Sequence, residues 1–265
     1  SLHPGYGFLA ENADFARKVE AAGYSWVGPT PDVIEWMGDK REARIRVAKL
    51  GGPCVPGYDG EDQSDAKLRE EAERIGLPLM LKAAHGGGGR GMRRVDDWAD
   101  FDQSLESARR EAKSAFGKDE LILERAIDQA RHVEVQVFGN GLGDAIHLYE
   151  RDCSIQRRHQ KVVEEAPCVA LSDSGRADLL ATATEITSKL NYRSAGTLEF
   201  LLAPDGSFYF LEMNTRIQVE HPVSECITGL DLVEMQLRLA EGDTILPEQA
   251  SIQMRGHAIE LRVYA

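Results

Sequence analysis

The spacing of hydrophobic positions changes along the chain, and each change marks an element. Phe15, Val19 and Ala22 recur at helical spacing over 11–22 and Gly23 ends the run, predicting a helix followed by a short strand at Tyr24–Val27. A second helix is expected from Gly38-Asp39-Lys40 to Leu50, closed by Gly51, Gly52, Pro53, Pro56 and Gly57. Residues 54–126 then read as one αβ unit. It holds a helix with Leu68, Ala72 and Ile75 on one face and a strand at Leu79–Ala83. A second helix follows, in which Trp98, Phe101, Leu105, Ala108 and Ala112 step by 3, 4, 3 and 4, and Leu121–Arg125 is the closing strand. From His132 the period is 2: Val133, Val135 and Val137 alternate with Glu134 and Gln136 up to the turn signal Gly139-Asn140-Gly141. A helix at about 175–190, strands at 197–203 and 207–213 around Pro204-Asp205-Gly206, and a helix after Leu230 complete the pattern. It predicts an α+β class with a mostly antiparallel sheet in the second half, not a doubly wound parallel sheet.

Three segments carry candidate chemistry. Lys82-Ala83-Ala84-His85 runs into four consecutive glycines, Gly86–Gly89, then Arg90-Gly91-Met92. Ordering such a run costs much conformational entropy, and amides without Cβ atoms can wrap a phosphate closely. No GK[ST] follows, so it is not a Walker loop; it reads as a hairpin lid with Lys82 at its base. Gly139-Asn140-Gly141-Leu142-Gly143 imitates a dinucleotide fingerprint but lacks the following helix, so it reads as a turn.

The hairpin 197–214 gives a geometric argument. With Asp205-Gly206 as a two-residue turn, Glu199 faces Glu212 and Thr197 faces Asn214. Two opposed carboxylates repel unless a cation lies between them, and two acids with an amide oxygen suit Mg²⁺. The same parity continues through Arg216, Gln218 and Glu220, lining one face with a planar oxyanion fork, an amide and a base. Arg151–Lys161 is a cationic run that reads alone as a solvated face and, beside a metal site and a lid, as an anion clamp. Cys153 has no His partner in a diagnostic context and is a poor nucleophile candidate.

Composition narrows the field. The 265 residues carry 31 basic and 44 acidic side chains, a net charge of −13, which disfavours nucleic-acid and membrane-surface partners. No apolar run reaches membrane-spanning length, and four cysteines without a CxxC pair read as thiols of a reducing compartment. The opening at Ser1, inside a running motif, suggests a fragment.

Seven segments resemble the biotin carboxylase component of biotin-dependent carboxylases: Ser1–Asn12 (SLHPGYGFLAEN), Met37–Lys40 (MGDK), Lys82–Met92, Arg131–Val137 (RHVEVQV), Arg151–Pro167 (RDCSIQRRHQKVVEEAP), Glu212–Val223 (EMNTRIQVEHPV) and Gly256–Arg262 (GHAIELR). The resemblance implies an α+β ATP-grasp fold with a mobile glycine-rich lid subdomain, truncated at both ends. Residues 1–38 would be the remnant of a preceding nucleotide-fold domain. Residues 39–253 would be the ATP-grasp domain with its lid at 54–126, and 254–265 the start of a C-terminal domain. It implies ATP-driven carboxylation of biotin on a carrier protein, through carboxyphosphate made from bicarbonate. Lys40, Lys82, Gly88, Gly89, Glu124, Arg125, Ile127, His132, Gln156, His159 and Glu199 would surround ATP. Glu199, Glu212 and Asn214 would hold two Mg²⁺ or Mn²⁺ ions. Lys161, Arg216, Gln218 and Val219 would cradle bicarbonate with Glu220 as its base, and Arg262 would stabilise the biotin enolate. Implied partners are the biotin carboxyl carrier and a carboxyltransferase, with an acyl-CoA system the expected setting. The parent would be a homo-oligomer and the fragment a monomer, in the bacterial cytoplasm or the mitochondrial matrix. His85 departs from the family's usual glycine. The alternatives are an ATP-grasp fragment that holds Mg-ATP without turnover, or another acylphosphate-forming ligase.

Overall fold

The computed structural model describes residues 1–85, 91–157 and 160–263. The chain opens with α1 (Ala13–Ala21), whose first turn is capped by the Asn12 side chain accepting from the Phe15 amide. Residues 24–27 form no strand; Trp26 makes an isolated bridge to Leu2. A helix that the punctuation at Gly28-Pro29 and Gly38 disguised, α2 (Pro31–Gly38), buries Val33, Ile34 and Met37. It is followed by α3 (Lys40–Lys49), capped by Asp39.

The next unit is β1 (Gly57–Tyr58), α4 (Asp65–Ile75), β2 (Leu79–Ala83), β3 (Met92–Val95), α5 (Phe101–Phe116) and β4 (Leu121–Arg125), with Trp98–Asp100 a 3-10 turn ahead of α5. Its sheet has the order β1-β4-β2-β3. Leu68, Leu79, Leu81, Phe101, Leu105, Leu121 and Leu123 make one apolar core between sheet and helices. β2 and β3 pair with Lys82 opposite Met92, so the glycine segment joins two antiparallel strands; Gly86–Arg90 itself lies outside the described residues.

The rest comprises β5 (Arg131–Asn140), β6 (Ala145–Arg157), β7 (Gln160–Ala166), α6 (Asp173–Lys189), β8 (Arg193–Leu202), β9 (Phe208–Asn214), α7 (His221–Thr228), α8 (Leu232–Ala240) and β10 (Ala258–Leu261). Its strands form an antiparallel sheet of order β10-β7-β6-β5-β8-β9. On one face Val133, Val135, Val137, Leu198 and Phe200 pack against Leu179, Leu180, Ala183 and Ile186 of α6. Each such valine, leucine, isoleucine or phenylalanine contributes roughly 1.5–3 kcal/mol by leaving water.

The β8–β9 hairpin corrects the expected turn. Gly206 N bonds Ala203 O at 3.0 Å and Ala203 N bonds Ser207 O at 2.8 Å, so the loop is Pro204-Asp205-Gly206, three residues long. Pro204 presets the turn and Gly206, at φ +87°, takes the left-handed position. The shorter register then pairs Phe200 with Phe210 and Leu202 with Phe208. A bulge at Leu211 adds the residue back, so Glu199 does face Glu212 and Thr197 does face Asn214. The bulge turns Phe208 and Phe210 onto the core side against Phe200 while leaving Glu212 and Asn214 on the opposite side.

Candidate active site

The two sheets bound a cavity of about 770 Å³. From the first sheet and the segment after it come Lys82, Glu124, Arg125 and Ile127; Lys40 comes from the start of α3. His132, Gln156, Lys161 and Glu199 come from the large sheet, Glu212 and Asn214 from the end of β9. Arg216, Gln218, Val219 and Glu220 line it beyond β9, and Arg262 from just past β10. The structure thus brings together every expected site residue except Gly88, Gly89 and His159, which lie outside the described residues.

The polar face of the large sheet is not solvated. Glu134 and Gln136, which alternate with the core valines of β5, are fully buried, as is Arg151 on β6. Arg151 spends all five guanidinium donors internally. Nε reaches Glu134 Oε1 at 2.7 Å, Nη1 reaches Gln136 Oε1 at 2.8 Å and Ser224 Oγ at 2.9 Å. Nη2 reaches Gln218 Oε1 at 3.0 Å and Thr197 Oγ1 at 3.4 Å. Arg151 is therefore an internal strut, not part of an anion clamp. From the cationic run, Gln156 and Lys161 enter the cavity, Arg157 is exposed, and Arg158 and His159 lie outside the described residues.

Lys161 sits above that strut. Its ammonium bonds Glu134, Glu199 Oε1 at 2.7 Å and Glu220 Oε1 at 2.8 Å, so its three donors are all engaged. Burial alone would lower its pKa, but Glu134, Glu199 and Glu220 override that and raise it. The same cluster works in reverse on the acids. Burial would raise the Glu199 carboxyl, yet Lys161 and then His132 hold it far below the usual range. His132 Nε2 lies 2.8 Å from Glu199 Oε2. Against the effect of burial, that contact raises the His132 pKa. Glu220 is gripped from both sides, by Lys161 at one oxygen and by Arg262 Nη2 at 2.6 Å on the other. Cys153 is buried beside these charges, and burial pushes its thiol well above the ordinary value, which removes the thiolate a nucleophile needs.

The Glu199–Glu212 opposition also resolves differently from the sequence argument. Side-chain cations neutralise it: Lys161 and His132 on Glu199, Lys40 on Glu212. Repulsion therefore does not by itself demand a metal. The donor set still fits one: two carboxylates and the Asn214 amide are hard oxygen ligands at adjacent hairpin positions on the cavity wall. Arg216 makes three bonds among the described residues, Nε to Glu11 Oε2 at 3.0 Å, Nη2 to Asn214 Oδ1 at 3.2 Å and Nη1 to Ile217 O at 3.3 Å. Two of its five donors remain for an anion.

Sequence reasoning missed Glu134, Arg44 and Glu11. Arg44 Nη1 bonds Glu124 Oε1 at 3.0 Å, and with Lys82 it holds that carboxylate below its ordinary pKa against the effect of burial. The signal for Glu134 was present, as an acid between two core valines.

Comparison with known proteins decides the family. Residues 39–248 match the carbamoyl-phosphate synthase L chain, ATP binding domain, and residues 1–34 match the biotin carboxylase N-terminal domain. The chain belongs to the biotin carboxylase family, with its ATP-grasp fold. It is 52% identical over 266 residues to the biotin carboxylase of Haemophilus influenzae, covering all of this chain and 59% of that protein. It is 51% identical over 265 residues to the mitochondrial methylcrotonoyl-CoA carboxylase subunit alpha of Mus musculus, again over its whole length but over 37% of that protein. The chain thus spans between about a third and three fifths of these relatives. Among solved structures, Campylobacter jejuni biotin carboxylase, a complex described as β-γ-ATP, superposes with a TM-score of 0.94 at 44% identity, over 98% of this chain and 58% of that one. The biotin carboxylase domain of Hydrogenobacter thermophilus 2-oxoglutarate carboxylase, in complex with MgADP, ADP and bicarbonate, gives 0.93 at 46% identity, over 98% and 57%. Among the described residues no helix is long and apolar enough to cross a membrane, and all four cysteines are free thiols.

Proposed function

We propose that the chain carries the site for ATP-dependent carboxylation of biotin on a carrier protein, with bicarbonate as the carbon source and carboxyphosphate as the intermediate. The observation that carries this reading is one cavity holding two adjoining sets. The oxygen ligands Glu199, Glu212 and Asn214 stand next to an anion-holding face of Arg216, Gln218, Glu220 and Arg262. Lys40, Lys82, His132 and Gln156 would meet the nucleotide; Gly88, Gly89 and His159 belong to the same proposal through the family resemblance. Mg²⁺ or Mn²⁺ held by the oxygen set would neutralise phosphate charge.

The chain's own groups do the rest. Arg216 offers two N–H donors to bicarbonate, joined by the Gln218 side chain and the Val219 backbone. Lys161, its donors engaged by three acids, supplies field more than a hydrogen bond. Glu220, held between Lys161 and Arg262, is the base that takes the bicarbonate proton. Arg262, beside it, would then meet the negative charge that develops on the biotin ring.

The division into residues 1–38, 39–253 with a lid at 54–126, and 254–265 is part of this proposal. So are a carrier and a carboxyltransferase as partners, an oligomeric parent, and a cytoplasmic or mitochondrial-matrix setting. An acyl-CoA acceptor is supported by the methylcrotonoyl-CoA carboxylase relatives. The test is ATP hydrolysis by the purified chain with and without bicarbonate and free biotin. Hydrolysis that needs bicarbonate and rises with biotin is expected. Mg-ATP binding without turnover would leave only the binding-module reading.

A further inference from the structure

We propose that Glu11 is a positioning residue that sets the angle of the Arg216 fork, making the segment before α1 a working part of the anion site. The inference rests on the bicarbonate reading of Arg216 above. Glu11 lies in the SLHPGYGFLAEN motif, none of whose residues the proposed mechanism uses.

Its carboxylate makes two contacts with consecutive residues. Oε1 accepts from the Thr215 backbone N–H at 3.1 Å, and Oε2 accepts from Arg216 Nε at 3.0 Å. One acid thereby fixes both the backbone where the chain leaves β9 and the side chain that follows it. The grip on Nε matters because of guanidinium geometry. The group is planar, so holding Nε while Asn214 Oδ1 takes one Nη2 hydrogen at 3.2 Å fixes the plane and directs the remaining Nη donors. Thr215 is buried, and the side chains of Arg216 and Glu11 are 22% and 38% exposed, so the bond is open to water on the Glu11 side. Its strength comes from the charge and from the second contact to the Thr215 amide, not from burial.

A purely structural alternative is that Glu11 only docks the N-terminal region, residues 1–28, onto the large sheet. That docking has its own contacts. Arg193 on β8 donates from Nε to Gly28 O at 2.8 Å and from Nη2 to Glu20 Oε1 at 3.0 Å. Among the described residues the side-chain partner of Glu20 is Arg193, which does not line the cavity, so E20Q serves as the docking control.

The experiment compares the full wild-type chain with E11Q, E20Q, R216A and the E11Q/R216A double variant. It follows bicarbonate-dependent ATP hydrolysis and, separately, the line broadening of ¹³C-bicarbonate in the presence of MgADP. The amide introduced by E11Q can still accept from Thr215, but Arg216 loses its anionic partner. E11Q is expected to raise the bicarbonate KM about tenfold while leaving the ATP KM unchanged. It should weaken the line broadening in parallel, and add nothing to the broadening lost in R216A. E20Q should change neither. An unchanged bicarbonate KM in E11Q, an equal rise for ATP, or the same defect in E20Q overturns the positioning role. A wild-type chain that hydrolyses no ATP in response to bicarbonate overturns the proposed function instead. In that event the broadening decides Glu11 alone: sensitivity to both R216A and E11Q upholds it, and its absence refutes it.

Discussion

The two sheets bury opposite kinds of interior on the sides that matter for the site. The four-stranded sheet closes over leucines, alanines and Phe101, and its charges gather at the cavity wall, where Lys82 and Arg44 compensate Glu124. The six-stranded sheet has an apolar face toward α6, but its other face holds Glu134, Gln136, Arg151, Glu199 and Gln218, all at most 4% exposed. An apolar core tolerates loss of one member by partial collapse, whereas a charge network has no such relaxation: each removed partner strands another. The smaller unit is thus built for folding, and the larger one holds charges fixed before any ligand arrives, the condition electrostatic catalysis requires.

The largest expected effect follows from removing the strut. Arg151→Met leaves Glu134, Gln136 and Gln218 without their shared donor in a dry interior, and should cost about 3–5 kcal/mol in urea unfolding. A loss below about 1 kcal/mol would show that water relaxes the network. In the smaller unit, Leu105→Ala removes buried apolar volume next to Phe101 and should cost about 2–3 kcal/mol. That cost should be the same at low and high salt, because no charge is exposed or stranded. A salt-dependent loss would break the contrast between the two interiors.

What the sequence disclosed follows the same division. The helix carrying Phe101, Leu105, Ala108 and Ala112 was legible because its apolar spacing and its burial coincide. The face carrying Glu212, Asn214, Arg216, Gln218 and Glu220 was legible from parity, though β9 ends at Asn214 and the remainder is irregular backbone. The Glu199–Glu212 pairing came out right through two offsetting features, a three-residue turn and the Leu211 bulge. Neither can be read from local composition, since a bulge is fixed by which side chains the core accepts. Glu134 and Gln136 were read as the polar half of an alternating strand. Alternation reports that two faces differ, not that one of them meets water. Glu11 was hidden for another reason: its partners stand 204 and 205 residues away.

The smallest effect concerns a carboxyl at the edge of the large sheet's network. Glu164 on β7 is buried, lies opposite Glu260 of β10, and has Arg262 Nε 3.5 Å from one oxygen. Burial, and then the nearby charge of Glu220, push its pKa up to about 7, although Arg262 pulls the other way. In the unfolded chain the same group titrates near about 4.3. Between those two values the folded protein keeps a proton that the unfolded chain has lost, so this group makes stability fall as pH rises through the window, and its contribution is level above it. Glu164→Gln keeps the shape and cannot ionise. The unfolding free energy of the wild type should therefore drop relative to the variant by on the order of 1–2 kcal/mol between pH 5 and pH 8. Urea unfolding of both proteins at the two pH values measures it. Parallel changes would mean that Arg262 fully compensates an ionised Glu164, and the edge of the network would then be as tightly paired as its centre.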